Sequence, residues 1–141
     1  MTTIRRQRPA IWCAVIVCAY GVLAPAATIA LGDTDSIARD ALQWQPTDFP
    51  GVTIKVLWRD GEAFTALFRM EPGARLPLHR HLGFEQTYVL QGSLVDDEGV
   101  CTAGNFVWRY PGSVHSAHSP DGCLSIGIFQ TPNEFLDEGE A

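Results

Sequence analysis

The stretch from Gly73 to Gly92, which reads GARLPLHRHLGFEQTYVLQG, restricts the fold of this chain more than any other. His79 and His81 are separated by one residue, in a segment with the length and flanking turn residues of a β-strand. Successive side chains of a strand point to opposite faces of the sheet, so both imidazoles leave from the same face. The sequence therefore predicts a sheet that carries two histidines side by side.

Two more residues complete a candidate ligand set for a metal ion. Glu85 follows a three-residue turn, and a hairpin there would return its carboxylate toward His79 and His81. His115 lies downstream, just after a Pro-Gly turn. Imidazole nitrogens with one carboxylate oxygen suit a divalent ion such as iron, manganese, nickel, copper or zinc. We therefore predict a metal site made of His79, His81, Glu85 and His115.

Two further points concern the predicted ligand set: Glu85 has an alternative role, and His118 is not predicted to be a ligand. Instead of binding the metal, the Glu85 carboxylate could hydrogen-bond to one of the ligand histidines. His118 comes three residues after His115, which places it on the opposite face of a regular strand. All four histidines of the chain lie in these two segments.

The spacing of these residues resembles the two cupin motifs. The first motif is matched without a gap by Gly73, five residues, His79, one residue, His81, three residues, Glu85, six residues and Gly92. The second is matched by Gly104, five residues, Tyr110, Pro111, Gly112, two residues, His115, three residues and Ser119. In that motif the proline is displaced by one place, and Ser119 replaces an asparagine. The wider segment resembles the small ChrR-type cupins, a group similar to the acetylacetone-cleaving dioxygenases.

Composition indicates one ordered domain and excludes one class of partner. The chain has 141 residues, 46% of them hydrophobic and 18% charged, which suits a single globular domain with a core of its own. Three of its ten basic residues precede residue 31, so seven lysines and arginines face 16 acidic residues beyond that point, a net charge of −9. A domain this acidic repels phosphate backbones, and we expect no nucleic-acid partner.

Residues 1–30 have the pattern of an export segment. Arg5, Arg6 and Arg8 form a basic start, and residues 11–30 contain no charge. The site Ala24-Pro25-Ala26 predicts cleavage as a signal peptide, and the alternative is an uncleaved anchor of residues 11–30 in the inner membrane. Both predict a periplasmic or secreted domain with the arginines inside.

The rest of the chain predicts an all-β fold. Residues 31–48 are predicted to be a lead-in with a short helix from Ser36 to Leu42, and residues 137–141 an acidic tail. Between them, residues 49–136 contain short strands separated by Gly and Pro turns, including an Asp60-Gly61 hairpin. This pattern predicts a β-sandwich or barrel of the jelly-roll class. The resemblance implies that these strands form a single-domain cupin β-barrel, also called a double-stranded β-helix, which follows the N-terminal signal or anchor segment.

Several side chains are candidates for the surroundings of the metal. Five aromatic residues are predicted to line a cavity or simply to fill the core: Phe68, Tyr88, Phe106, Trp108 and Tyr110. Arg75 and Arg109 either receive an anionic substrate or lie exposed at the surface. Asp96 begins a turn, Asp96-Asp97-Glu98-Gly99, that is predicted to be solvated, since it lacks the ligand pattern of a calcium loop. Cys101 and Cys123 form a disulfide or remain two buried thiols.

The resemblance implies two functions. The first is a dioxygenase acting on a small diketone or hydroxylated aromatic ketone, with iron(II) as the first candidate metal. The second is a non-catalytic module that binds zinc or senses a small ligand, as in the ChrR-type anti-sigma factors. A closed tetrahedral zinc site would leave no position for chemistry. The resemblance also implies a homodimer, whereas the anti-sigma role itself is not implied, because no N-terminal zinc-binding helical domain precedes the cupin.

Overall fold

The computed structural model describes residues 41–136, and within them the regular elements are ten β-strands. The strands are β1 (Gln45–Pro46), β2 (Val52–Asp60), β3 (Ala63–Met70), β4 (Arg75–Arg80), β5 (Glu85–Asp96), β6 (Gly99–Thr102), β7 (Phe106–Arg109), β8 (Val114–His118), β9 (Cys123–Phe129) and β10 (Glu134–Phe135). The predicted export segment, the tail and nearly all of the predicted short helix lie outside the described residues. Across residues 41–136, no helix has the length and apolar character to cross a membrane.

The strands form one strongly curled antiparallel sheet, in the order β1-β2-β3-β9-β5-β8-β4-β10. Strand β5 joins its two halves, because its first part pairs with β7 and β9 while its last part pairs with β6 and β8. The predicted all-β, jelly-roll class of the fold is confirmed. The curl brings β4 and β8 over the inner face of β3, β9 and β5, and this enclosed space holds the candidate site.

A glycine in the middle of β5 permits the bend between the two halves. Gly92 has φ +71°, and a Cβ at this position would overlap the carbonyl oxygen of Gly122. A β-bulge between Val89 and Gln91 immediately precedes it. Strand β5 continues through Gly92 without a break. Glycine serves here both for its left-handed backbone and for the close approach of a neighbouring chain segment.

Strand β2 shows how a bulge changes which side chains are inside. The Asp60-Gly61 hairpin joins β2 to β3 as predicted. Simple alternation places Trp58 on the buried face with Val52 and Ile54, but the register with β3 shifts between Val56 and Trp58. Trp58 is therefore 55% exposed, although simple alternation would place it inside.

The core consists of two buried clusters on the inner face of the sheet. One contains Val52, Met70, Ala74, Val89 and Cys123, and the other Ile54, Phe64, Ala66 and Phe129. Phe64 and Phe129 stack with their ring centroids 4.5 Å apart. Cys101 packs against the first cluster, and both cysteines are free thiols. Burial raises the pKa of the Cys123 thiol, which disfavours its reactive thiolate form.

Candidate metal centre

Three histidines from β4, its end and β8 meet at one point. His79 in β4 pairs in register with His115 in β8, and His81 follows directly after β4. The metal-binding atoms of the three rings all lie within 4.8 Å of one another. Two nitrogens that share one metal at about 2.1 Å are at most about 4.2 Å apart, so the cluster needs only a small contraction to hold one ion.

The local backbone explains why these rings converge. His79 and His81 alternate along the strand, as predicted, and their ring centroids are 5.0 Å apart. A bulge between Leu76 and His79 breaks the β4–β8 register at Pro77, which has no N–H group to donate to the neighbouring strand. On β8, His118 is displaced from the cluster and pairs with Arg75, whose side chain is exposed. The exposed alternative is therefore the correct one for that arginine.

Each of the three rings has an oxygen acceptor beside its Nδ1 atom. His79 Nδ1 donates to the Pro77 carbonyl oxygen at 2.8 Å, and His115 Nδ1 lies 3.1 Å from Asp96 Oδ2. His81 Nδ1 is 3.1 Å from Glu85 Oε2. A proton on Nδ1 leaves the Nε2 lone pair free to bind a metal, so the surroundings of His79 and His115 favour the metal-binding tautomer.

His81 supplies the most direct test of whether a metal fits. Its side chain is 0% exposed, and neither ring nitrogen has a well-aligned hydrogen bond, because the approach to Glu85 has the distance of an ion pair without hydrogen-bond geometry. Leaving a buried polar atom unpaired costs about 1–3 kcal/mol. A metal bound at Nε2 would satisfy one of the two nitrogens, so the residues present fit a divalent ion.

The surroundings of His79 and His115 favour the uncharged imidazole, which is the form that binds metals. Burial lowers the pKa of His79 from 6.5 to about 4, and the nearby His115 and His81 add to that effect. The pKa of His115 is also lowered, mainly by burial and then by the positive charge of Arg109. Metal binding therefore does not have to displace protons from these two rings at pH 7.

Glu85 lies beside the histidine cluster rather than among its metal-binding atoms. Its Oε1 accepts a hydrogen bond from the Thr87 hydroxyl at 3.2 Å, and its Oε2 accepts one from the Asn133 amide at 2.8 Å. Burial acts to raise the pKa of this carboxyl group, but the contacts with His81 and Asn133 outweigh it, and the net pKa is lowered. Glu85 therefore contacts His81 at 3.1 Å and lies outside the group of three histidines.

Sequence reasoning missed Asn133 and misassigned Asp96 and Arg109. Asn133 lies 48 residues from Glu85 along the chain, beyond both motifs, so no spacing signalled it. Asp96 and Arg109 form an ion pair whose side chains are 7% and 14% exposed. Asp96 is thus neither solvated nor confined to its turn, and Arg109 is neither exposed nor free to receive an anion. The one sequence signal for the ion pair between Asp96 and Arg109 was that the two residues carry opposite charges on neighbouring predicted strands.

An apolar cavity of about 60 Å³ adjoins the cluster, enough for a few waters or a very small molecule. His79, His115 and Glu85 lie in its wall, together with the following apolar side chains: Phe49, Val52, Phe64, Phe68, Met70, Leu76, Leu94, Ala117, Phe129 and Phe135. The two ends of the described chain meet beside it, with the Phe49 and Phe135 rings 4.4 Å apart and Phe135 5.3 Å from the His79 ring.

Of the five aromatic residues predicted to line a cavity or fill the core, only Phe68 faces this cavity. Tyr88, Phe106, Trp108 and Tyr110 are 41%, 45%, 49% and 65% exposed, so both predicted roles are wrong for them. Tyr88 pairs with Phe106 and Gln86 with Trp108, whereas Thr87, between them on β5, is buried. The shared face of these aromatic residues is the outer face of the sheet.

Comparison with known proteins gives one family. The model of the ChrR cupin-like domain matches residues 33–132. Among curated proteins, none matches the sequence.

Solved structures with the same fold include three informative examples. An RmlC-like cupin from Ralstonia eutropha JMP134 has a TM-score of 0.67 at 22% identity, covering 74% of this chain and 73% of that one. An acetylacetone dioxygenase from Acinetobacter johnsonii has a TM-score of 0.66 at 18% identity, covering 80% and 83%. The Rhodobacter sphaeroides SigE complex with the anti-sigma ChrR has a TM-score of 0.60 at 25% identity, covering 66% of this chain and 52% of that one.

Proposed function

Because the chain belongs to the ChrR cupin-like family, we propose that it binds one divalent metal ion through Nε2 of His79, His81 and His115. The observation that carries this proposal is the convergence of three imidazoles, with a fully buried His81 ring that has no hydrogen-bonded partner and with oxygen acceptors at Nδ1 of His79 and His115. Glu85 then acts through its contact with His81. A fourth ligand role for Glu85 would require its carboxylate to leave its contacts with His81, Thr87 or Asn133.

The proposed reaction is an oxidation of a small, mostly apolar molecule of the ketone type by a dioxygenase. Three histidine ligands leave open positions on an ion such as iron(II), which when bound would polarise a substrate oxygen and activate O₂. The contribution of the chain is to hold that substrate against the cluster and to exclude water. Phe49, Phe68 and Phe135 supply the apolar wall, and the volume of about 60 Å³ restricts the substrate to a few heavy atoms unless the wall moves.

A second candidate is a zinc-binding module that senses a small ligand without changing it. The likeness to the anti-sigma ChrR in its complex with SigE favours this candidate, as does the small volume beside the cluster. Zinc held by the three histidines and Glu85 in tetrahedral geometry would have no open position. The two candidates therefore differ in coordination number, which can be measured directly.

The location of the protein is a separate proposal that depends on residues 1–30. The basic start and the uncharged run of residues 11–30 support export, with the domain in the periplasm or secreted, or held at the inner membrane by that run. An oxidising compartment disfavours iron(II), so manganese, copper, nickel and zinc are equally candidates for the native metal.

The test is the metal content and X-ray absorption spectrum of the full chain purified from its native compartment. We expect a stoichiometric divalent metal in the wild type, its loss in His79→Ala and its retention in the matched control His118→Ala. Iron, manganese, nickel or copper with five or six ligands would support the dioxygenase and justify an oxygen-uptake screen with small ketones. Four-coordinate zinc would support the sensing module, and a wild type without metal would refute both.

A further inference from the structure

Asp96 begins the acidic turn between β5 and β6, yet its side chain faces the interior. Only 7% of that side chain is exposed, compared with 78% for the side chain of Glu98 two residues later. Its Oδ1 accepts hydrogen bonds from the backbone N–H groups of Glu98 at 2.9 Å and Gly99 at 3.1 Å. One carboxylate oxygen therefore closes the turn, and the other is directed elsewhere.

The second oxygen of Asp96 connects the turn to the histidine cluster. Oδ2 lies 3.1 Å from Nδ1 of His115, 19 residues away, and accepts a hydrogen bond from Nη2 of Arg109. The carboxylate thus receives donors on both oxygens, from the backbone on one side and from two side chains on the other. It cannot turn away from His115 without breaking hydrogen bonds in the turn or the ion pair with Arg109.

We propose that Asp96 is the positioning residue of His115: its carboxylate holds the proton of that ring on Nδ1 and thereby presents Nε2 to the metal. This inference rests on the proposed metal site, but the position of the proton can be examined in the metal-free protein. A neutral imidazole carries one proton, which can occupy either nitrogen, and a proton on Nε2 blocks that atom as a ligand. Loss of such a hydrogen-bond partner typically lowers metal affinity about 10-fold to 100-fold.

The substitution Asp96→Asn separates this role from closure of the turn. With the amide oxygen on the two backbone N–H groups, the NH₂ group faces both His115 and Arg109, and the ion pair with Arg109 is lost. An NH₂ group is a donor, and it forces Nδ1 of His115 to become the acceptor, with the proton on Nε2. The turn is retained while the ring takes the tautomer that cannot bind the metal.

The experiment compares the full-length wild type with Asp96→Asn and with Asp97→Asn, which makes the same chemical change at the exposed neighbouring position. Nitrogen-15 NMR of the metal-free proteins identifies the protonated nitrogen of His115, and competition with a chromophoric chelator measures the dissociation constant for zinc. We expect protonated Nδ1 in the wild type and in Asp97→Asn, and protonated Nε2 in Asp96→Asn. We also expect zinc binding to weaken at least 10-fold in Asp96→Asn and less than twofold in Asp97→Asn.

Two results would overturn the inference. One is a protonated Nε2 on His115 in the metal-free wild type, which tests the idea even if no variant folds. The other is an unchanged Nδ1 proton in folded Asp96→Asn. A wild type that binds no zinc or other divalent metal, with the tautomers as expected, would refute the metal site while leaving the role of Asp96 in orienting His115 intact.

Discussion

Lowering the pH should destabilise the metal-free domain well before its carboxylates are protonated, and His79 should account for most of the effect. The folded state holds the pKa of His79 at about 4, compared with 6.5 for an unperturbed histidine. Between those values the unfolded chain binds a proton at this residue that the folded chain does not bind. The contribution of His79 to the free energy of unfolding is therefore fully present above pH 6.5 and is lost as the pH falls toward 4.

The size of the effect follows from the two pKa values. A shift of one pKa unit corresponds to about 1.4 kcal/mol, so the full window is worth about 3 kcal/mol, and the part between pH 8 and pH 5 about 2 kcal/mol. His115 contributes with the same sign, because burial lowers its pKa too. The pKa values of Glu85 and Asp96 are lowered below their ordinary values, so these groups lose their contribution only at more acidic pH.

The assay is urea unfolding of the full chain in the presence of a chelator, at intervals from pH 8 to pH 5, for the wild type, His79→Gln and His118→Gln. We expect the free energy of unfolding of the wild type and of His118→Gln to fall by about 2 kcal/mol or more over this range. His79→Gln, which has no proton to gain at this position, should lose clearly less. Equal pH dependence in the wild type and His79→Gln would refute the reasoning.

Three further outcomes are expected. Gly92→Ala should lower the free energy of unfolding by about 3 kcal/mol or more in urea denaturation, because the new Cβ overlaps the Gly122 carbonyl oxygen and the backbone is left-handed. The matched control is Gly104→Ala, at φ +85° with nothing near the new Cβ. It should lower the free energy of unfolding by only about 1 kcal/mol. Asn133→Leu should cost about 1–3 kcal/mol by the same assay, since it removes a hydrogen bond to the half-buried, charged Glu85, and an unchanged midpoint would contradict that contact. Zinc at 100 times its dissociation constant should raise the free energy of unfolding by about 2.7 kcal/mol, and an EDTA control should abolish the gain.

Two carboxylates, those of Glu85 and Asp96, lie next to the three-histidine cluster without being part of it. Glu85 and Asp96 each contact Nδ1 of one histidine, and a carbonyl oxygen of the backbone does so for the third. Each carboxylate is in turn held by a neutral or cationic donor, Asn133 or Arg109. The charge of Asp96 is thus compensated by Arg109, and that of Glu85 is stabilised by hydrogen bonds from neutral groups.

The features that the sequence determined by itself are those that depend on local periodicity and turn chemistry. The period of two in a strand places His79 and His81 on one face and separates His118 from His115. Asp60-Gly61 specifies its hairpin, and Pro77 marks a bulge, because each of these residues restricts the backbone at its own position. From such local constraints the all-β class and the shared face of His79 and His81 could be predicted without coordinates, whereas the place of His115 beside them followed from the resemblance to the cupin motifs.

The tertiary structure decided which face of each strand is inside and which distant residues meet. Alternation placed Phe106 and Trp108 together, but a period of two is identical for the inner and the outer face, and only the packing of the curled sheet put both outside. The bulge that exposes Trp58 likewise depends on its partner strand. Asp96 reaches His115, and Asn133 reaches Glu85, through pairings across 19 and 48 residues. Contacts of this kind arise from the closure of the sheet, which no local sequence pattern encodes.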